Sequence, residues 1–407
     1  MKLIEGGVTA PAGFLASAGK GGLRKSGKSD IALILSKRVC NAAAVFTSSR
    51  LKAAPVVVTA SLISAGKGRL NGAVINSGNA NALTGRRGLR DAKKMGAHAA
   101  KLLDVPAGRM AIFSTGVIGQ FLPMNKVYAG IESAVSSLSE SLSAGSKAAE
   151  AIMTTDRVRK EVAVEQMLAD GRRIRIGGMT KGSGMIAPEM KGLHATTLTF
   201  ITTDAPVSGS YLQKCLDRYA EDTFNMVSVD GDQSTNDSVL VLSNGSAGGP
   251  SVRNDPMFEE AFGYVMRQLS IMLAMDGEGA TKLLTVEVNG ARNAQQAKLA
   301  ARAVVKSNLV KCAVFGGDPN VGRIAMALGS SGCDIDFSKL DVSIGENRKC
   351  PVISSGIVTD NGRKAASLMK KSEVKFTIDL HKGKGSALAL GCDLSYGYVR
   401  INSAYTT

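Results

Sequence analysis

The residues best suited to chemistry gather near the middle of the 407-residue chain, where Lys181 to Ala205 read KGSGMIAPEMKGLHATTLTFITTDA. Lys181-Gly182-Ser183-Gly184 is a loop with room for backbone N–H groups to approach a ligand. Pro188 and Gly192 break any helix, and Thr196-Thr197-Leu198-Thr199-Phe200-Ile201 is then a run of strand formers. By residue type alone this is an exposed loop entering a buried strand, with threonine hydroxyls at its entrance. A second candidate is Ser114-Thr115-Gly116-Val117-Ile118-Gly119, which taken alone is a turn closing a strand from Met110 to Phe113. Asp230-Gly231-Asp232 mimics part of a calcium loop, but the spacing to a closing glutamate fails, so no metal is assigned.

The elements that must position these residues follow an alternating helix and strand pattern, which predicts a mixed α/β fold. Pro55 to Thr59 (PVVVT) and Ala73 to Asn76 (AVIN) read as short buried strands. Ala92, Met95, Ala99 and Leu102 recur at helical spacing, and Val127, Ile131, Val135, Leu138 and Leu142 predict one further amphipathic helix. Asp255-Pro256 opens another as cap and first-turn proline, with Phe258, Phe262, Val265, Leu269 and Leu273 as its apolar stripe. Near the end, Val374, Phe376, Ile378 and Leu380 alternate as a half-buried strand.

Composition narrows the function class. Hydrophobic residues at 44% supply a large core, and with no tryptophan it must be built from aliphatic side chains and methionine. The net charge of +16 raises the question of a nucleic-acid partner. The basic stretches, Arg86 to Lys94, Arg157 to Lys160 and Arg172 to Arg175, are short and lack stacking aromatics, which favours a solvated basic surface over nucleic-acid binding. Six scattered cysteines without a C-x-x-C pair, and only three histidines, argue against zinc and fit a reducing cytosol. No signal core and no run of about 20 apolar residues is present, so the expectation is a cytoplasmic protein without a membrane partner.

The central segment resembles the self-cleavage motif of the ornithine acetyltransferase family, in which a Gly-Met-Ile-x-Pro loop precedes an Ala-Thr bond. On this sequence the resemblance implies a cut at Ala195–Thr196, giving an α chain of residues 1–195 and a β chain of residues 196–407 that begins with the nucleophile Thr196. Four residues, Lys191 to His194, stand where the commonest bacterial form passes directly from methionine to Ala-Thr, and adjacent Thr197 is the other candidate nucleophile. Fungal-type members share the Leu-His-Ala-Thr ending. Further matches follow the family's order: Gly7 to Pro11, Ala44 to Thr47, Asn76 to Ala82, Ser234 to Asp237 and Phe315 to Asn320. Val321 stands where many relatives have tryptophan.

The resemblance also implies roles. Thr115 and Gly116 would form an oxyanion hole, and Thr155, Lys181, Thr196, Glu278, Asn402 and the terminal Thr407 would bind substrate. The fold implied is an ornithine acetyltransferase-like α/β body, akin to the DmpA-type aminopeptidases, with both fragments intertwined and assembled as α2β2 or larger. The activity implied is transfer of acetyl from N2-acetylornithine to glutamate in arginine biosynthesis, without a cofactor; some members also take acetyl-CoA as donor. Such chemistry suits a chain poor in histidine. A freed α-amino group with an ordinary pKa of about 7.7–8.0 can take the threonine proton near neutral pH. The rival enzyme is a self-cleaving amidohydrolase or aminopeptidase in which water resolves the acyl-enzyme.

Overall fold

The computed structural model describes residues 1–187, 197–346 and 349–404. Among them, two mixed sheets carry the fold. The first runs, edge to edge, through Lys2–Ile4, Lys160–Met167, Arg173–Lys181, Leu198–Thr203, Ser238–Ser243, Ile31–Phe46, Arg69–Asn79 and Met110–Val117, with Phe14–Gly19 paired to one end of Ile31–Phe46. The second runs through Ile357–Val358, Cys350–Ser354, Asp341–Ile344, Glu373–Asp379, Leu283–Ala291, Gly385–Cys392 and Val227–Ser228.

The order of the first sheet interleaves the two halves of the chain. Leu198–Thr203 lies antiparallel to Arg173–Lys181 on one side and parallel to Ser238–Ser243 on the other, and Ser238–Ser243 pairs in turn with Ile31–Phe46. Segments before and after residue 196 therefore share one hydrogen-bonded ladder and one core.

Both faces of this sheet are covered, which is why its strands read as near-continuous apolar runs. On one face Ile174, Ile176, Ile201, Val239 and Val241 pack beneath helices Gly209–Asp222 and Pro256–Met275, through Leu212, Leu216, Phe258, Phe262 and Leu269. The other face buries Phe113, Leu198, Phe200, Leu240 and Ile75. Helix Pro256–Met275 starts as the sequence predicts: the Asp255 carboxylate accepts the Met257 and Phe258 N–H groups, and Pro256 supplies a preset φ. The alternating stretch near the end is likewise the strand Glu373–Asp379.

Two expectations fail. Pro55 to Thr59 lies not in a strand but in the helix Ala54–Ala65. Pro55 seeds its first turn, and burial of Val56, Val58 and Thr59 overrides the β preference of branched residues. A short apolar run does not by itself tell a buried helix from a buried strand. The single helix expected from Val127 to Leu142 is two, Met124–Val135 and Leu142–Ala151. The break occurs where Ser139 exchanges both backbone hydrogen bonds with Ala16, at 2.9 and 3.1 Å, and the Ser141 hydroxyl then caps the second helix.

All six cysteines are free thiols, and no described helix is long and apolar enough to cross a membrane.

On one face of this sheet, the strand Leu198–Thr203 and the edge strand Met110–Val117 meet through an aromatic contact, Phe200 edge-on to Phe113 with centroids 5.0 Å apart. Because Phe200 is 1% exposed, Phe200→Ala should destabilise the protein by about 3–5 kcal/mol, read as a lowered midpoint in urea unfolding.

Candidate active site

A cavity of about 350 Å³ opens where the chain returns at Thr197 to the end of Arg173–Lys181. Six residues that the resemblance singled out line it: Thr115, Gly116, Thr155, Lys181, Glu278 and Asn402. The remaining three, Ala195, Thr196 and Thr407, lie outside the described residues.

Thr115 and Gly116 stand at the end of Met110–Val117, beside its parallel neighbour Arg69–Asn79. Gly116 has a φ of +133°, and a Cβ there would overlap the backbone of Gly78 and Asn79, so only glycine fits. A buried amide lattice holds this corner. Asn76 accepts the Ser114 hydroxyl at 2.6 Å and donates to the Asn79 carbonyl at 2.8 Å. Asn236 donates to the Ser114 carbonyl at 2.8 Å and to the Ala80 carbonyl at 2.6 Å. Asn76 to Ala82, which reads in sequence as a polar turn, is thus the scaffold of the Thr115-Gly116 corner.

Lys181 projects its ammonium into the same corner, donating to the Thr115 hydroxyl at 3.1 Å and the Thr154 hydroxyl at 2.8 Å. With its oxygen accepting from an ammonium, Thr115 keeps its own hydrogen for an acceptor in the cavity. Burial pushes the Lys181 pKa down, against the attraction of Asp156 and Glu278. Asp156 shows the converse balance: burial raises it, but Lys181 and Lys160 outweigh that and hold it at about 2. Its stabilising effect is therefore complete above the unfolded value of about 3.9 and is lost only as pH falls toward about 2.

Glu278 forms the opposite wall. Its carboxylate accepts the Asn402 amide at 2.9 Å and packs over Gly184, where a Cβ would overlap it. Asn402 reaches this position because the helix Tyr396–Ala404 docks on the turn at Gly279: the Ser395 hydroxyl donates to the Gly279 carbonyl at 2.6 Å, and the backbone of Gly397 and Tyr398 passes where a Gly279 side chain would lie. The described residues end at Ala404, so the substrate-binding role that the resemblance implies for Thr407 lies outside them.

The loop leading toward residue 188 is also constrained. Met185 adopts a φ of +57°, a left-handed conformation that strains a side-chain-bearing residue, and Asp230 holds it by accepting the Met185 and Ile186 N–H groups at 2.6 and 2.9 Å. Where the description resumes, the Thr197 hydroxyl donates to the Lys181 carbonyl at 2.6 Å and contacts the Thr180 hydroxyl at 2.9 Å. That hydroxyl is already engaged with the neighbouring strand.

Sequence reasoning gave no role to Asn236, Lys160, Asp156 or Asp276. Asn236 and Lys160 fall inside stretches it quoted, but nothing in a linear chain pairs residues 116 positions apart, as Lys160 and Asp276 are. The Asp230-Gly231-Asp232 stretch serves as an anchor for the Met185 turn.

Gly116→Ala should destabilise the protein by at least about 1–3 kcal/mol, from backbone strain and overlap, and lower the thermal midpoint measurably.

Comparison with known proteins agrees over the full length. The ArgJ family model matches residues 15–407. The chain is 46% identical to the arginine biosynthesis bifunctional protein ArgJ of Symbiobacterium thermophilum, covering 100% of both chains. It is 44% identical to the glutamate N-acetyltransferase of Methanothermobacter thermautotrophicus, covering 100% of this chain and 99% of that one. Among solved structures, ornithine acetyltransferase from Mycobacterium tuberculosis, complexed with ornithine, is 39% identical over 47% of this chain and 99% of that chain, with a TM-score of 0.43. With a family model and full-length relatives matching in this way, the chain belongs to the ArgJ family.

Proposed function

We propose that this protein is a glutamate N-acetyltransferase of arginine biosynthesis that cuts its own chain before Thr196 and carries acetyl from N2-acetylornithine to glutamate on the freed threonine. The observation that carries this reading is the convergence, on one cavity, of Thr115, Gly116, Thr155, Lys181, Glu278 and Asn402, contributed from both sides of residue 196. The relatives named glutamate N-acetyltransferase and bifunctional ArgJ support the same activity.

The choice between the two threonines follows from hydrogen bonding. Thr197 donates its hydroxyl proton to a backbone carbonyl inside the sheet, which suits a structural side chain. Thr196 directly precedes, in the chain, a residue that lines the cavity.

Chemistry then proceeds in two balanced steps. The Thr196 hydroxyl loses its proton to its own α-amino group while its oxygen adds to the acetyl carbonyl of N2-acetylornithine. The carbonyl oxygen, now anionic, is stabilised by donors at Thr115 and Gly116. The C–N bond breaks, the amine leaves with the proton, and the acetyl group remains as a threonine ester. The amine of glutamate attacks that ester, its proton returns to the threonine oxygen, and N-acetylglutamate departs. Lys181 is suited to the carboxylate next to the reacting amide, and Glu278 with Asn402 to the distal ammonium of ornithine. Thr155 and Thr407 complete the binding set. We further propose acetyl-CoA as a second donor to the same acetyl-enzyme, in keeping with relatives named bifunctional.

The cut fragments would stay together because two strands of the second half lie between strands of the first in one sheet, and we place the enzyme in the cytoplasm as an α2β2 assembly.

Under denaturing conditions the wild-type protein should give two masses, divided before Thr196, while Thr196→Ala gives one uncut chain of 42.2 kDa and no transfer. Light-scattering mass of the native protein should correspond to two copies of each fragment. Retention of the acetyl group on glutamate, rather than its release as acetate, separates transfer from hydrolysis.

A further inference from the structure

The cavity walls are joined from beneath by an ionic cluster that touches none of the cavity's space. Lys160, 1% exposed, has its Nζ 2.6 Å from Asp156 Oδ1 and 2.6 Å from Asp276 Oδ2, and both carboxylates are buried. Asp156 extends the cluster toward Lys181: it accepts the Gly182 N–H at 2.7 Å and the Thr154 N–H at 2.9 Å. Asp276 extends it toward Glu278, two residues on, and accepts the Arg157 N–H and Nε–H at 3.1 and 3.2 Å. A second, neutral layer repeats the connection. The Ser183 hydroxyl donates to the Asp276 carbonyl at 2.6 Å, and the Glu278 N–H donates to the Ser183 carbonyl at 2.9 Å.

Three chain segments therefore meet at Lys160: the loop carrying Thr154 and Thr155, the end of the strand carrying Lys181, and the turn carrying Glu278. Asp156 and Lys160 precede residue 196 and Asp276 follows it, so the ion pair also crosses the site of the cut. Two carboxylates buried this close to one another repel, and the cation between them offsets both that repulsion and part of their desolvation. An ammonium held by two short charge-assisted bonds fixes the separation of its partners more tightly than a hydrophobic contact would.

We propose that Lys160 is a positioning residue for acetyl transfer: by tying Asp156 to Asp276 it sets the distance between Lys181 and Glu278, and so the side-chain length of the amino acid that the site accepts. The proposal rests on the reading above, in which Lys181 and Glu278 hold the two charged ends of N2-acetylornithine. Lys160 itself is not part of the cavity lining.

The test compares N2-acetylornithine with N2-acetyllysine, which is one methylene longer, as acetyl donors for wild type, Lys160→Met and Asp276→Asn. Rates are normalised to the fragment beginning at Thr196, so that failed maturation is not counted as loosened recognition. A single methylene in a fitted site discriminates by about tenfold or more in kcat/KM, and wild type should show that preference. Lys160→Met should reduce it to about threefold or less, mainly through a raised KM for the ornithine derivative. Asp276→Asn keeps an oxygen for Lys160 and the side-chain volume; it should lose about half of the preference or more, and it stands as the test if Lys160→Met does not accumulate folded. Variants that are slower on both donors by the same factor, with the preference intact, would make Lys160 a brace of the fold alone and overturn the proposal. A wild type that transfers acetyl from neither donor would instead overturn the reading of the site on which it rests.

Discussion

The register between Arg173–Lys181 and Leu198–Thr203 is the constraint on which the site depends. Lys181 stands opposite Leu198, and the Thr197 hydroxyl locks that pairing onto the Lys181 carbonyl and the Thr180 hydroxyl. Side chains alternate between sheet faces, so a slip of one residue would send Leu198 and Phe200 from one core to the other and carry the chain before Thr197 with them. The register is what brings the end of one half of the chain against the start of the other. Lys181, Thr115 and the returning strand then share one corner.

Around that corner the molecule supplies rigidity of two kinds. On the Thr115 side it is neutral: Asn76 and Asn236 saturate the backbone groups of the strand ends, and Gly116 lets them approach. On the Glu278 side it is ionic and buried, built from Lys160, Asp156 and Asp276. Fixed donors at the first suit charge that develops during reaction, since they need no reorganisation at that moment. A stiff spacing at the second suits selection of a substrate with charges at both ends. On the proposed reading, one cavity joins a reacting corner at Thr115 to a carboxylate wall at Glu278 across a fixed span.

Much of this was legible in the sequence, and the physical reasons for what was not are specific. Resemblance to a family's motifs, not local pattern, singled out Thr115, Gly116, Thr155, Lys181, Glu278 and Asn402; read alone, Ser114 to Gly119 is a turn closing a strand and Lys181 one lysine among many. The capped helix from Pro256 and the alternating strand near Phe376 were legible from the residues themselves, because their signals are confined to neighbours in the chain. Pro55 to Thr59 misled because its burial comes from Ile112 and other distant partners, to which the Thr59 hydroxyl binds at 2.7 Å. The break after Val135 depends on Ser139 meeting Ala16, again a contact that no local pattern encodes. Lys160 looked like one member of a basic stretch; only the fold reveals it as a buried ion between two carboxylates.

The central claim is that one threonine carries the acetyl group. The direct measurement is to incubate the enzyme with N2-acetylornithine labelled in its acetyl group, omit glutamate, quench, and sequence the labelled peptide. The account predicts label on Thr196 at the start of the second fragment, discharged on adding glutamate. Label on Thr197 or on any other residue, or transfer that proceeds while the enzyme never becomes labelled, would contradict it.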